Sequence, residues 1–159
     1  MRTMRKPNLL DLLATVALAL AAAVPLAAQS GSLTTYPLVG ARYTYGTVAG
    51  TPVYGTSLNI GSSRYTTLDV GSRTYTGVTQ SIGDLSLSSW SDGYTSSTQQ
   101  IGRTSFTTDS EGTSYTSQQI GRMIFTNGSD GSNAVTQRIG SFDFTTITLP
   151  STYRRRPPR

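Results

Sequence analysis

Four Ile-Gly steps, Ile82-Gly83, Ile101-Gly102, Ile120-Gly121 and Ile139-Gly140, follow one another at a spacing of 19 residues. A period of that length restricts the chain to an array of equivalent supersecondary units. Three further columns keep the period. Gly93, Gly112 and Gly131 come ten residues after the first three glycines, behind Asp92, Glu111 and Asp130. A large apolar residue stands five after each Ile, at Leu87, Phe106, Phe125 and Phe144, and a glutamine two before it, at Gln80, Gln99, Gln118 and Gln137. The frame extends backwards through Ile60-Gly61, followed by Tyr65 and Gly71, and through Val39-Gly40, followed by Gly50. These early units are longer, 21 and 22 residues, which predicts an insertion of two or three residues in one connection. Pro150 falls where the next turn glycine would stand, and a proline cannot extend backbone pairing. Six units are therefore expected, ending near Leu149.

Each unit reads as strand, turn, strand, turn. Arg103 to Thr108 is a β-prone run with branched and aromatic residues, and Asp109-Ser110-Glu111-Gly112 is a turn. Ser114 to Gln119 is a second extended run closed by Ile120-Gly121. Helical periodicity is absent after residue 28. The hydrophobic fraction of 36% is below the roughly 45–50% usual for globular chains, so a large core is not expected. The fold class predicted is all-β, a tandem β-hairpin repeat forming an extended meander or single-sheet ribbon. A β-solenoid with like residues stacked is the alternative.

Arg2, Arg5 and Lys6, the apolar stretch from Leu9, and the small residues Ala27 and Ala28 have the order of a secretory signal peptide. The domain plan is a hydrophobic signal helix over 1–28, an N-terminal linker over 29–38, the repeat domain over 39–149 and a Pro/Arg-rich tail over 150–159. An uncleaved anchor is the other reading of the leader. A secreted, periplasmic or cell-surface location follows, and the absence of cysteine means that disulfides do not brace the fold. The formal charge of +5 belongs to the ends: between Gln29 and Tyr153 six Arg face seven acids, so no nucleic-acid partner is expected.

The Gln-x-Ile-Gly steps and Ser-Asp-Gly or Ser-Glu-Gly turns resemble the tandem β repeats of secreted bacterial proteins of unassigned role. That resemblance covers about Val39 to Leu149 and implies a repeat fold without an activity. Choline-binding repeats share the layout, but they need several aromatics per unit, and Trp90 is the only tryptophan here.

With no His, no Cys and its only Lys in the leader, the chain lacks the groups for imidazole, thiol or Schiff-base chemistry and for the common transition-metal sites. The closest carboxylate pair, Asp109 and Glu111, reads as turn chemistry rather than as a hydrolase pair. No catalytic residue, cofactor or metal site is expected, and the acidic line of Asp92, Glu111 and Asp130 is read as binding calcium weakly or not at all. The residues singled out as structural are Ile60, Gly61, Ile82, Gly83, Ile101, Gly102, Ile120, Gly121, Ile139, Gly140, Gly93, Gly112, Gly131, Phe106, Phe125 and Phe144. The candidate binding surface is Tyr43, Tyr45, Tyr54, Tyr65 and Tyr75, in the loosest part of the repeat. Paired hydroxyl positions such as Thr107-Thr108 and Thr145-Thr146 are read as exposed rows on a flat face. The function expected is non-enzymatic adhesion or scaffolding through an elongated Ser/Thr-rich surface, with a self-assembling fibre subunit as the alternative and ice or carbohydrate binding as a further one. Partners expected are a protein, glycan or envelope component, or a second copy. Membrane contact is expected only through the signal peptide or weakly through the Arg tail.

Overall fold

The computed structural model describes residues 29–150. The leader read as a signal helix and the Arg-rich tail lie outside the described residues. Twelve strands run in chain order: β1 (Gln29–Leu38), β2 (Ala41–Val48), β3 (Thr51–Ile60), β4 (Ser63–Val70), β5 (Arg73–Ile82), β6 (Leu85–Trp90), β7 (Thr95–Ile101), β8 (Thr104–Asp109), β9 (Ser114–Ile120), β10 (Met123–Gly128), β11 (Asn133–Ile139) and β12 (Phe142–Leu149). Each pairs antiparallel with the next, and β12 returns to pair with β1. The sheet is a closed up-and-down barrel, neither an open ribbon nor a solenoid. Successive units are antiparallel hairpins, so like residues recur on every second strand and cannot stack as solenoid coils do.

The two glycine columns build the two ends of the barrel. Each Ile is the last residue of its strand, as in Ile82 pairing with Leu85 across Gly83-Asp84. The glycine opens a two-residue turn at φ near +60°, a conformation that admits glycine far more readily than any L residue. The first such turn is shifted by one: Leu38 takes the place of the Ile, and Val39 and Gly40 both have positive φ. At the other end, Trp90 and Tyr94 are joined backbone to backbone around Ser91-Asp92-Gly93, with Gly93 at φ 87°. The Asp109 and Gly128 loops repeat this geometry. The extra residues of the early units lengthen strands rather than a connection, for β2 to β5 hold 8–10 residues against 6–7 in β6 to β11.

Residues 29–38, read as a linker, are the strand that closes the barrel. β1 pairs with β12 from Gln29 opposite Leu149 to Thr35 opposite Asp143, and with β2 on its other side. The last repeat thus has its first strand at the C terminus and its second at the N terminus. Asp143, 1% exposed, locks this seam. Its carboxylate accepts Arg138 Nε at 2.7 Å and Nη2 at 3.2 Å from β11, and Arg42 Nη2 from β2, reaching past β1. The bond to Asp143 raises the Arg138 pKa above its ordinary value.

Alternation along the strands sends one set of side chains inward, and that set is mostly hydroxylic. Every strand contributes one Ser or Thr to a buried layer, hydrogen-bonded in six pairs across the Ile-Gly turns. The pairs are Thr35 with Thr44, Ser57 with Thr66, Thr79 with Ser88, Thr98 with Thr107, Ser117 with Thr126, and Thr136 with Thr145, at 2.8–3.1 Å. These residues are 1–9% exposed, so side chains fill the cross-section and leave no water-wide channel at this level. The apolar core lies to one side of this layer, under the long strands, and includes Leu33, Val48, Val53, Leu68, Val70, Tyr75, Ile147 and Leu149. Gly77 makes room there for Trp90, whose ring atoms would lie 2.6 Å from a Cβ.

Two further expectations are corrected. The Thr-Thr pairs do not line one face, because neighbours in a strand point to opposite sides: Thr107 is buried and Thr108 exposed. Tyr75 is not on a binding surface but 7% exposed in the core.

Thr136→Val should cost about 1–3 kcal/mol, because it strands the buried Thr145 hydroxyl, whereas Thr136→Val with Thr145→Val should recover most of that loss. Urea unfolding of the two single variants and the double variant checks this, and strictly additive losses would refute the paired layer. Asp143→Asn should destabilise by on the order of 2 kcal/mol, below the figure for fully buried pairs because both arginines reach solvent. A denaturation midpoint equal to that of the parent would remove the seam lock.

Candidate binding surface

With hydroxyls inside, the repeat-defining apolar columns face out. Leu38, Ile60, Ile82, Ile101, Ile120 and Ile139 ring one end of the barrel; the five Ile are 54–65% exposed, and Val39 at a turn tip is 98% exposed. Their cross-strand partners include Leu85, Met123 and Phe142. Two residues further along each strand stands a second rung. It carries Tyr36, Tyr43, Leu58, Tyr65, Leu87, Phe106, Phe125 and Phe144. The glutamine column explains itself here: Gln80, Gln99, Gln118 and Gln137 are the direct cross-strand partners of Leu87, Phe106, Phe125 and Phe144. Beyond this rung the outer wall turns to Thr and Ser, as at Thr56, Thr67, Ser89, Ser97, Thr108 and Thr116. The wall therefore carries a collar two rungs deep, apolar apart from the glutamines, Ser63 and Thr104, with its rungs about 7 Å apart by the residue spacing of a strand.

The collar is most aromatic over the closure seam. Tyr36 stacks on Tyr43 at 5.8 Å between ring centroids, meets Tyr45 edge-on at 6.1 Å and lies 5.9 Å from Phe142, which stacks on Phe144 at 6.3 Å. Tyr45 is the cross-strand partner of Tyr54, and a groove of about 160 Å3 runs between Tyr36, Tyr43, Tyr45 and Tyr54 towards Asp69. Of the five tyrosines expected to form a surface, the structure puts Tyr43, Tyr45, Tyr54 and Tyr65 on the outer faces of β2, β3 and β4. Tyr36, Phe142 and the Ile ring extend that surface. Their signal was in the repeat: a column two residues from the next in a strand must share its face.

Charge divides along the axis. The Ile-Gly end holds Arg42, Arg64, Arg103, Arg122 and Arg138 against Asp84 and Asp143, five cations to two anions, a net of +3. The opposite end holds Asp69, Asp92, Asp109, Glu111 and Asp130 against Arg73, a net of −4.

The aspartates of the acidic end are engaged in its turns. Asp92, Asp109 and Asp130 cap their turns, with Asp109 Oδ1 accepting the backbone N–H of Glu111 at 2.9 Å and of Thr113 at 2.8 Å. Among the described residues no group of three or more acids is placed to hold a metal ion. Comparison with protein-family models, with curated proteins and with solved structures gives no match.

One group at this end has a marked titration shift. Burial, and after it the Asp109 carboxylate, hold the Tyr94 phenol well above its ordinary value. A raised folded-state value means that the native protein keeps a proton the unfolded chain releases near pH 10, so stability is full below that pH and falls as pH rises past it. Thermal melts between about pH 9 and 11 should show a shallower decline for Tyr94→Phe than for the parent. Equal slopes would exclude Tyr94 as the source.

Proposed function

We propose that the chain is a non-enzymatic, exported or envelope-associated barrel that attaches through the apolar collar at its Ile-Gly end and serves adhesion or scaffolding. The observation that carries this reading is the collar itself. Exposed apolar residues scattered singly are ordinary, but a contiguous band rimmed by polar wall marks an interaction surface. Here the band is written into every repeat, and it is separate from the apolar core. The export reading of the leader supports placement outside the cytoplasm. The surface offered is compact and annular in place of the elongated one expected for an open array.

The fibre alternative has less behind it. Edge-to-edge β assembly needs unpaired strand edges, and closure of β1 on β12 pairs them all. Ice or carbohydrate binding by paired Thr rows loses its basis, since one member of each pair is buried.

Retention of the chain from Gln29 onward on sedimented cell-envelope preparations tests the proposal. Retention is expected, and the double variant Ile101→Ser, Ile120→Ser should weaken it at least tenfold, from about 1 kcal/mol or more of lost apolar contact at each site. Unchanged retention of that variant, with the barrel intact by circular dichroism, would overturn the collar as the attachment surface.

A further inference from the structure

The collar's depth, its ring shape and the charge around it point to one occupant. Two rungs, about 7 Å apart along the strand, are too shallow for the roughly 25 Å apolar band of a membrane-spanning barrel. They match the 5–10 Å to which interfacial proteins enter a bilayer. From the turns inward the order is Val39 or a glycine with Ser62, Asp84, Arg103, Arg122 or Ser141 at the tips, then Leu38 and the Ile ring, then Tyr, Phe and Leu interleaved with Gln, then Thr and Ser. Amphipathic tyrosines settle at the headgroup level, above the aliphatic chains.

Backbone chemistry supports the same end. Peptide groups in lipid need hydrogen-bond partners, and the Ile-Gly connections are two-residue turns flanked by paired strand ends, whereas the three-residue loops of the regular units lie at the opposite end. Because six such turns belong to one closed barrel, the Ile residues that precede them stand around a single rim.

Charge selects the kind of surface. Arg103 and Arg122 follow directly on the glycines of their turns and are exposed beside Ile101 and Ile120. The collar end is positive and the far end negative, so an anionic plane attracts the first and repels the second. A second copy fits less well. Head-to-head contact would join two ends of net +3, and head-to-tail contact would lay the collar on a Ser/Thr and acidic rim.

We propose that the Ile-Gly end of the barrel docks on anionic phospholipid bilayers, inserting its ring of Ile side chains below the headgroups without crossing the membrane. This inference rests on the reading of the collar as an attachment surface and names its partner.

Cosedimentation of the chain from Gln29 onward with vesicles of phosphatidylcholine containing roughly one-third phosphatidylglycerol, against pure phosphatidylcholine, tests it, the anionic surface being the source of the attraction. Binding is expected to the mixed vesicles, to weaken in high salt, and to fall about fivefold for each of Arg103→Glu and Arg122→Glu. It should be abolished by Ile101→Ser with Ile120→Ser, and should persist when Arg154, Arg155, Arg156 and Arg159 of the tail are changed to Ser. An added reporter, Ile120→Trp, should be quenched by bromine placed high on the acyl chain and not by bromine near the bilayer centre. Binding that depends on the tail and ignores Arg103 and Arg122 would overturn the proposal, as would an Ile-dependent dimer that ignores vesicles. Retention on envelope preparations without vesicle binding would overturn the lipid partner alone and leave the attachment reading standing.

Discussion

Hydrogen bonds between hydroxyls on neighbouring strands allow this barrel to be polar inside. A lone Ser or Thr buried in such a layer would cost free energy, and pairing it with the hydroxyl across the turn removes that cost while contributing about 1 kcal/mol net. Twelve small hydroxylic side chains occupy the waist, and the period-two alternation of a strand then leaves no choice for the rest. The Ile, Phe and Tyr columns of the collar, which fall on the opposite phase, must stand outside. The collar is thus the other face of the hydroxyl layer, generated by the same six hairpins.

Polar layer and apolar core divide the work between them. The core fills the tall side of the barrel, where β1 to β5 and β12 are longest, and Gly77 and Trp90 fit together there as small against large. The short strands β6 to β11 depend more on the ladder and the hydroxyl pairs. The seam between β1 and β12 joins residues from opposite ends of the chain, and it has its own fastening in Asp143 with Arg42 and Arg138. A closed antiparallel sheet needs such a fastening because its last pairing must repay the closure of the longest loop in the fold.

Much of the architecture could be read from the chain. The Ile-Gly and Asp-Gly columns are the two kinds of turn, the Gln and Phe columns are cross-strand partners, and the unit length is two strands and two connections. Closure could not be read in this way. Gln29 to Leu38 carries neither the glutamine nor the Ile-Gly mark of the repeat, and its partner strand lies at the far end of the sequence. The inward layer was hidden for a different reason. Ser and Thr occupy both faces of each strand, so Thr107 and Thr108 show no contrast of polarity, and the pairing of Thr98 with Thr107 emerges only when the turn between them is known. Four of the five tyrosines do gather on one surface. Tyr75 lies one residue out of phase with that face, and a one-residue shift in a strand exchanges inside for outside.

The same closure fixes the points where the chain enters and leaves the barrel. Gln29 sits opposite Leu149, so both departures are from the acidic pole, the full height of the wall away from the Ile ring. The first and last described strands thus both have their outer ends at one pole, and the Ile ring is at the other. Closing the last unit with the first strand is what sets the two chain ends and the Ile ring at opposite poles.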